Sequence, residues 1–187
     1  MSYIIDEILS HNEKFVADKQ YESFDTTRFP NKRIAVLSCM DTRLTELLPA
    51  ALNFKNGDIK IITNAGAMVT HPYGSVMRSL LVAIYELGVR EIMVIGHYGC
   101  GMKGLEASQL IQKMGERGIT QDEIESIKSD NIDIHKWLSG FENPVVSVSE
   151  TTALIKNHPL IPKDVHVYGF LIDPHTGKLD IIENEEE

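Results

Sequence analysis

Three short apolar runs, separated by stretches of helical periodicity, constrain this chain more than any other feature. Residues 32–38, 59–63 and 91–96 are rich in Ile and Val and close to continuously apolar, not alternating. Such runs are typical of strands buried on both faces, as in parallel sheets covered by helices. Between them, Leu44, Leu47, Leu48, Ala51 and Leu52 recur at helical spacing, and Pro49 predicts that this helix is short or bent. Residues 75–87 carry a stripe of Met77, Leu80, Leu81 and Ile84, widened by Val76, Ala83 and Leu87, with Gly88 placed to end the helix. Helices are also predicted over 103–115 and 120–138. Residues 145–156 combine a β-rich start with a helical end. Residues 165–172 and 178–182 flank Asp173-Pro-His-Thr-Gly177 and read as strand, turn, strand.

At the front, Ile5, Ile8, Leu9, Phe15 and Val16 share one face of a leading helix over 4–16, within an arm over 1–30. That stripe can pack on its own domain or reach across to a partner subunit. Residues 183–187 read as an acidic, solvated tail. The expected fold class is α/β: one domain over 1–187, with a mainly parallel central sheet flanked by helices.

Composition removes several classes of function. Net charge is −9, and the 18 Lys and Arg residues form no dense run, so a nucleic-acid partner is not expected. No apolar run approaches the ~20 residues that span a bilayer, so no membrane partner is expected either. The first residues mix acidic and apolar side chains without a basic lead, which is unlike a signal peptide and predicts a cytoplasmic location. A structural disulfide is disfavoured there, leaving Cys39 and Cys100 as buried thiols or as ligands.

The neighbours of those cysteines favour ligands. Cys39-Met40-Asp41-Thr42-Arg43 follows the first predicted strand, and His97-Tyr98-Gly99-Cys100-Gly101 follows the third. Ligands of open α/β sheets bind beyond the carboxyl ends of strands, so two strands feeding one edge would unite these segments. His-x-x-Cys is a compact chelate, with Gly99 and Gly101 allowing a tight backbone. A helix starting after Cys100 would favour its thiolate. Two thiolates and one imidazole select zinc, and three protein ligands leave a fourth position open, as in catalytic sites. Asp41 is placed to orient a zinc-bound hydroxide and Arg43 to clamp Asp41; released, Asp41 becomes a conditional fourth ligand. Taken alone, Asp-x-Arg reads as a helix cap with a surface ion pair. His11, His71, His135, His158, His166 and His175 lack ligand spacing and read as surface or loop residues. A Cys-x5-Arg phosphate loop fails, because Thr45 stands where its arginine belongs.

With Asn64-Ala65-Gly66 and the 78–89 segment, these motifs resemble the β-carbonic anhydrase family, strongly over residues 30–105 and towards its compact branch. The pattern there has Ser where this chain has Thr42, a substitution that keeps the hydroxyl. The resemblance implies reversible hydration of CO2 to bicarbonate by zinc-bound hydroxide, one zinc per chain held by Cys39, His97 and Cys100, and a homodimer or higher oligomer. Gly66 is expected to face the substrate pocket. Two alternatives stay open: hydrolysis of CS2 or COS on the same site, and a non-catalytic zinc site that is structural or senses redox state.

Overall fold

In the computed structural model of the chain, which describes residues 2–127 and 132–184, the three apolar runs become neighbouring parallel strands. They are β1 (Ile34–Cys39), β2 (Ile59–Asn64) and β3 (Glu91–His97), joined by β4 (His166–Ile172) and β5 (Leu179–Glu183). The order is β2-β1-β3-β4-β5, parallel throughout except for β5, which runs antiparallel to β4. The sheet is mainly parallel, as expected, with one antiparallel edge where the 173–177 turn is too short for a crossover.

Successive residues of β1 feed opposite faces. Leu37 packs in a cluster with Met77, Leu80, Val94 and Ile155, whereas Val36 packs with Leu44, Leu48, Ile95 and Ile172. The α-helices among the described residues are α1 (Tyr3–Ala17), α2 (Leu44–Ala51), α3 (Ser75–Tyr85), α4 (Ala107–Glu116), α5 (Gln121–Ser126), α6 (Ile134–Leu138) and α7 (Pro144–Lys156), with short 3-10 turns at Gln20–Phe24 and Ala65–Ala67. As expected, α2 is short and contains Pro49. Gly88, at φ 72°, closes α3, and its amide donates back to the Ile84 carbonyl.

Four expectations are corrected. The helix predicted from residue 103 begins at Ala107, because a bridge between Lys103 and Phe141 and the left-handed Gly104 (φ 68°) hold the preceding residues in a turn. Instead of one helix over 120–138, α5 and α6 form, each with its own N-cap: Thr120 in a capping box, and Asp133 accepting from the amides of His135 and Lys136. Residues 128–131 of that span lie outside the described residues. The β-rich start of 145–156 is helical, since Asn143 caps α7, Pro144 stands at its first turn, and Val148 and Ile155 bury against the sheet. A Cβ at Gly96 would lie 2.8 Å from Val148, so that glycine lets α7 approach β3 just before His97. Finally, Glu183 belongs to β5 and accepts from the Ser149 hydroxyl, so the acidic tail does not start there; residues 185–187 lie outside the description.

The leading helix forms, yet no residue of α1 is fully buried on this chain; Phe15 is half-buried, its ring 6.2 Å from that of Phe24. Ile5, Ile8, Leu9 and Val16 remain exposed. No helix among the described residues is long and apolar enough to cross a membrane.

Candidate metal centre

Parallel pairing of β1 with β3 sets Ser38 opposite Ile95, and the Ser38 hydroxyl donates to the Ile95 carbonyl at 3.1 Å. The last residues of these strands, Cys39 and His97, therefore emerge at the same edge. Gly99, at φ 63°, turns the chain so that Cys100 folds back beside them. Gly101 is not left-handed, and no helix starts directly after Cys100, so the predicted dipole support for its thiolate is absent.

The ligand atoms of Cys39, His97 and Cys100 lie within 4.8 Å of one another, and all three residues are buried. The sulfurs are 3.9 Å apart, far beyond a disulfide bond of ~2 Å. Two sulfurs at ~2.3 Å on a tetrahedral zinc would stand roughly 3.8 Å apart, so the spacing fits that metal. The imidazole fits as well. His97 Nδ1 lies 2.9 Å from the Tyr98 carbonyl, which can only accept, so Nδ1 carries the proton and Nε2 presents a lone pair. Nε2 is buried and has no hydrogen-bond partner. A buried, unpaired imidazole nitrogen facing two sulfurs is costly unless something binds it.

Metal-free, the two thiols share one proton. The hydrogen bond from Cys100 holds the Cys39 thiol well below its ordinary value, against burial and with help from the Gly66 amide, which donates to Sγ at 3.4 Å. The same bond, with burial, pushes the Cys100 thiol up. Burial pulls His97 down, but Cys39, the Tyr98 carbonyl and Asp41 outweigh it and leave the imidazole above its usual value.

Asp41 and Arg43 sit at the mouth. Arg43 donates from Nε to Asp41 Oδ1 at 2.9 Å and from Nη2 to Oδ2 at 2.8 Å, while Nη2 also reaches the Gly99 carbonyl at 3.2 Å. This contact holds the Asp41 carboxyl well below the usual carboxylate range. Asp41 Oδ2 is 3.7 Å from His97 Nε2, close to the ligand triangle but committed to Arg43. A cleft of about 450 Å³ opens here, lined by Asp41, Arg43, Ala65, Cys100 and Met102 among others.

Gly66 is buried at φ 84°, and a Cβ there would crowd Met68 and Met102 at 3.1–3.2 Å. Of the other histidines, His158 lies in the loop after α7, as expected, but is buried there with its Nδ1 accepting from the Leu160 amide; His166 lies in β4, not in a loop. Among the described residues no second group of metal ligands converges. Two backbone groups escaped the sequence reading: the Tyr98 carbonyl behind His97, and the Gly66 amide on Cys39. Peptide groups leave no mark in side-chain patterns, and only the glycine hinted at a close approach.

The profile of the carbonic anhydrase family matches residues 34–179. The crystal structure of β-carbonic anhydrase isoform I from Trichomonas vaginalis superposes with a TM-score of 0.86 at 35% identity, over 98% of this chain and 99% of that one. The chain belongs to the β-carbonic anhydrase family. YvdA of Bacillus subtilis, which carries a provisional carbonic anhydrase name, is 53% identical over 180 residues, spanning 96% of this chain and 91% of YvdA. A carbon disulfide hydrolase from Acidianus is 31% identical over 172 residues, spanning 83% and 81%. Family members of both descriptions therefore share most of this fold.

Proposed function

We propose that this chain catalyses the reversible hydration of CO2 to bicarbonate, with one zinc held by Cys39, His97 and Cys100. The observation that carries the reading is the buried, unpartnered His97 Nε2 facing two sulfurs, beside an ionised aspartate that is held off it. When bound, zinc supplies the Lewis acidity that makes water nucleophilic near neutral pH. The remaining work falls to the protein. Asp41, ionised and therefore acceptor-only, takes the hydrogen bond of the attacking water and aims its lone pair at the substrate carbon. Arg43 keeps Asp41 in that role by occupying both carboxylate oxygens. Ala65 and Met102 give the cleft an apolar lining suited to an uncharged gas, while Gly66 is buried behind them, not on the cleft wall, where a Cβ would crowd Met102. Addition of water to CO2 releases bicarbonate and one proton, which leaves to buffer.

A homodimer or higher oligomer accompanies this reading, supported by an amphipathic α1 whose apolar residues Ile5, Ile8, Leu9 and Val16 stay exposed on its own chain. A reducing, cytoplasmic location is supported by two thiols that lie close together and must stay unoxidised to bind metal.

Hydrolysis of CS2 is a second reading, favoured by the Acidianus relative. A purely structural zinc is disfavoured, because such a site has no use for the Asp41–Arg43 clamp. Stopped-flow CO2 hydration, run beside CS2 and COS assays with metal analysis, tests all three. Zinc-loaded protein that hydrates CO2 no faster than buffer would overturn the proposal.

A further inference from the structure

His97 is steered by a carbonyl that adjoins a left-handed glycine. The Tyr98 carbonyl that accepts from His97 Nδ1 belongs to the peptide joining Tyr98 to Gly99. Glycine on one side of a peptide lowers the resistance to rotating it, and Gly99 is already left-handed at φ 63°. Left to itself, this peptide could swing its oxygen away from the imidazole. Side chains from two distant strand ends hold it. Arg43, just beyond β1, donates to the Gly99 carbonyl. On the other side, the Tyr98 phenol donates to Asp180 Oδ2 at 3.0 Å, and Lys178 Nζ sits 2.7 Å from Asp180 Oδ1. Both oxygens of Asp180 are thus engaged. The Tyr98 amide is anchored separately, donating to the Ile172 carbonyl at 3.1 Å.

We propose that Tyr98 and Asp180 are positioning residues for the metal site: β5 reaches through Asp180 and the Tyr98 phenol to lock the carbonyl that orients His97. Neither residue touches substrate or metal. Their effect passes through the orientation and basicity of Nε2, the property that groups behind a metal-bound histidine control. It also gives the antiparallel edge strand a role that the 97–101 motif does not disclose, since Asp180 lies 83 residues beyond His97. The inference rests on the zinc-site reading above.

The test uses full-length, zinc-loaded protein and follows zinc release into a chelator, with the visible spectrum of the cobalt-substituted protein as a second readout. Tyr98→Phe and Asp180→Ala are each expected to release zinc about tenfold faster, the lower end for groups behind a first ligand. The double variant should be no worse than the weaker single, because one tether is cut in each case. Asp180→Asn, which keeps an oxygen acceptor for the phenol, should restore wild-type release. The cobalt spectrum should shift in Tyr98→Phe and Asp180→Ala, while the melting temperature of the metal-free proteins stays put. Unchanged zinc release and an unchanged cobalt spectrum in Tyr98→Phe would overturn the inference. So would additive losses that merely follow a lowered metal-free melting temperature. Wild-type protein that fails to bind zinc at all would instead refute the metal reading beneath it.

Discussion

Asp41 and Arg43 form a two-pronged ion pair in which Nε and Nη2 each take one carboxylate oxygen, at 2.9 and 2.8 Å, and Nη2 extends to the Gly99 carbonyl. The pair links the loop after β1 to the loop after β3, the two segments that carry the candidate metal ligands. Arg43→Ala should free Asp41 to approach the triangle that lies 3.7 Å away. CO2 hydration near pH 7.5 is expected to fall on the order of a hundredfold, with zinc content retained. Arg43→Lys should recover little, because an ammonium cannot supply the fork. Full activity in Arg43→Ala would remove Asp41 and Arg43 from the mechanism.

Cys100→Ser keeps the shape of the side chain but replaces a soft thiolate with a hydroxyl, a poor zinc ligand. Zinc content and hydration activity should drop together, and added zinc should restore neither at stoichiometric concentration. Activity without bound metal would contradict the site.

Zinc loading should weaken as pH falls. The Cys100 thiol is pushed up by its hydrogen bond to Cys39 and by burial, and the His97 imidazole is shifted up as well, so zinc competes with protons at both as pH falls. Zinc must displace them, whereas Cys39 is shifted down and needs little deprotonation there. Competition titrations between about pH 6 and 8 should give a log affinity that rises with pH, with a slope of about one to two. A slope near zero would mean that these ligands are not the ones used.

Hydration should rise with pH across roughly 6 to 9. Two thiolates offset the metal's charge and make it a weaker acidifier of water than a site of neutral imidazoles, where that proton leaves near ~7. Asp41 does not produce this dependence, because Arg43 keeps its carboxyl far below the working range and it stays ionised throughout. A flat profile would count against the proposed nucleophile.

Ile8 and Leu9 are about half exposed on α1, and no residue of the helix is fully buried on its own chain. A charge there should spare the fold while breaking self-association. Ile8→Asp with Leu9→Asp is expected to shift the mass in solution from dimer or larger to monomer, read by light scattering. An unchanged mass would remove α1 from the interface.

The convergence of the candidate ligands was legible because two motifs sit at the ends of two strongly apolar strands, and strand ends collect at one edge of a parallel sheet. The strands themselves, α3 with its Gly88 stop, and the short α2 followed from periodicity and from the chemistry of glycine and proline. The 145–156 segment resisted the same approach. Its β-branched residues speak for a strand, and only Asn143, Pro144 and burial against β3 and β4 make it helical.

Sequence alone settled which atoms can bind a metal and which faces of each element are apolar, because both are properties of local spacing. Tertiary structure decided the rest: the 3.9 Å between sulfurs 61 residues apart, the tautomer of His97, the grip of Asp180 on Tyr98, and the bare stripe of α1. Local pattern reports that a face must be buried or a carbonyl satisfied. Which distant segment does so depends on strand register and chain crossing, which exist only once the whole sheet is assembled.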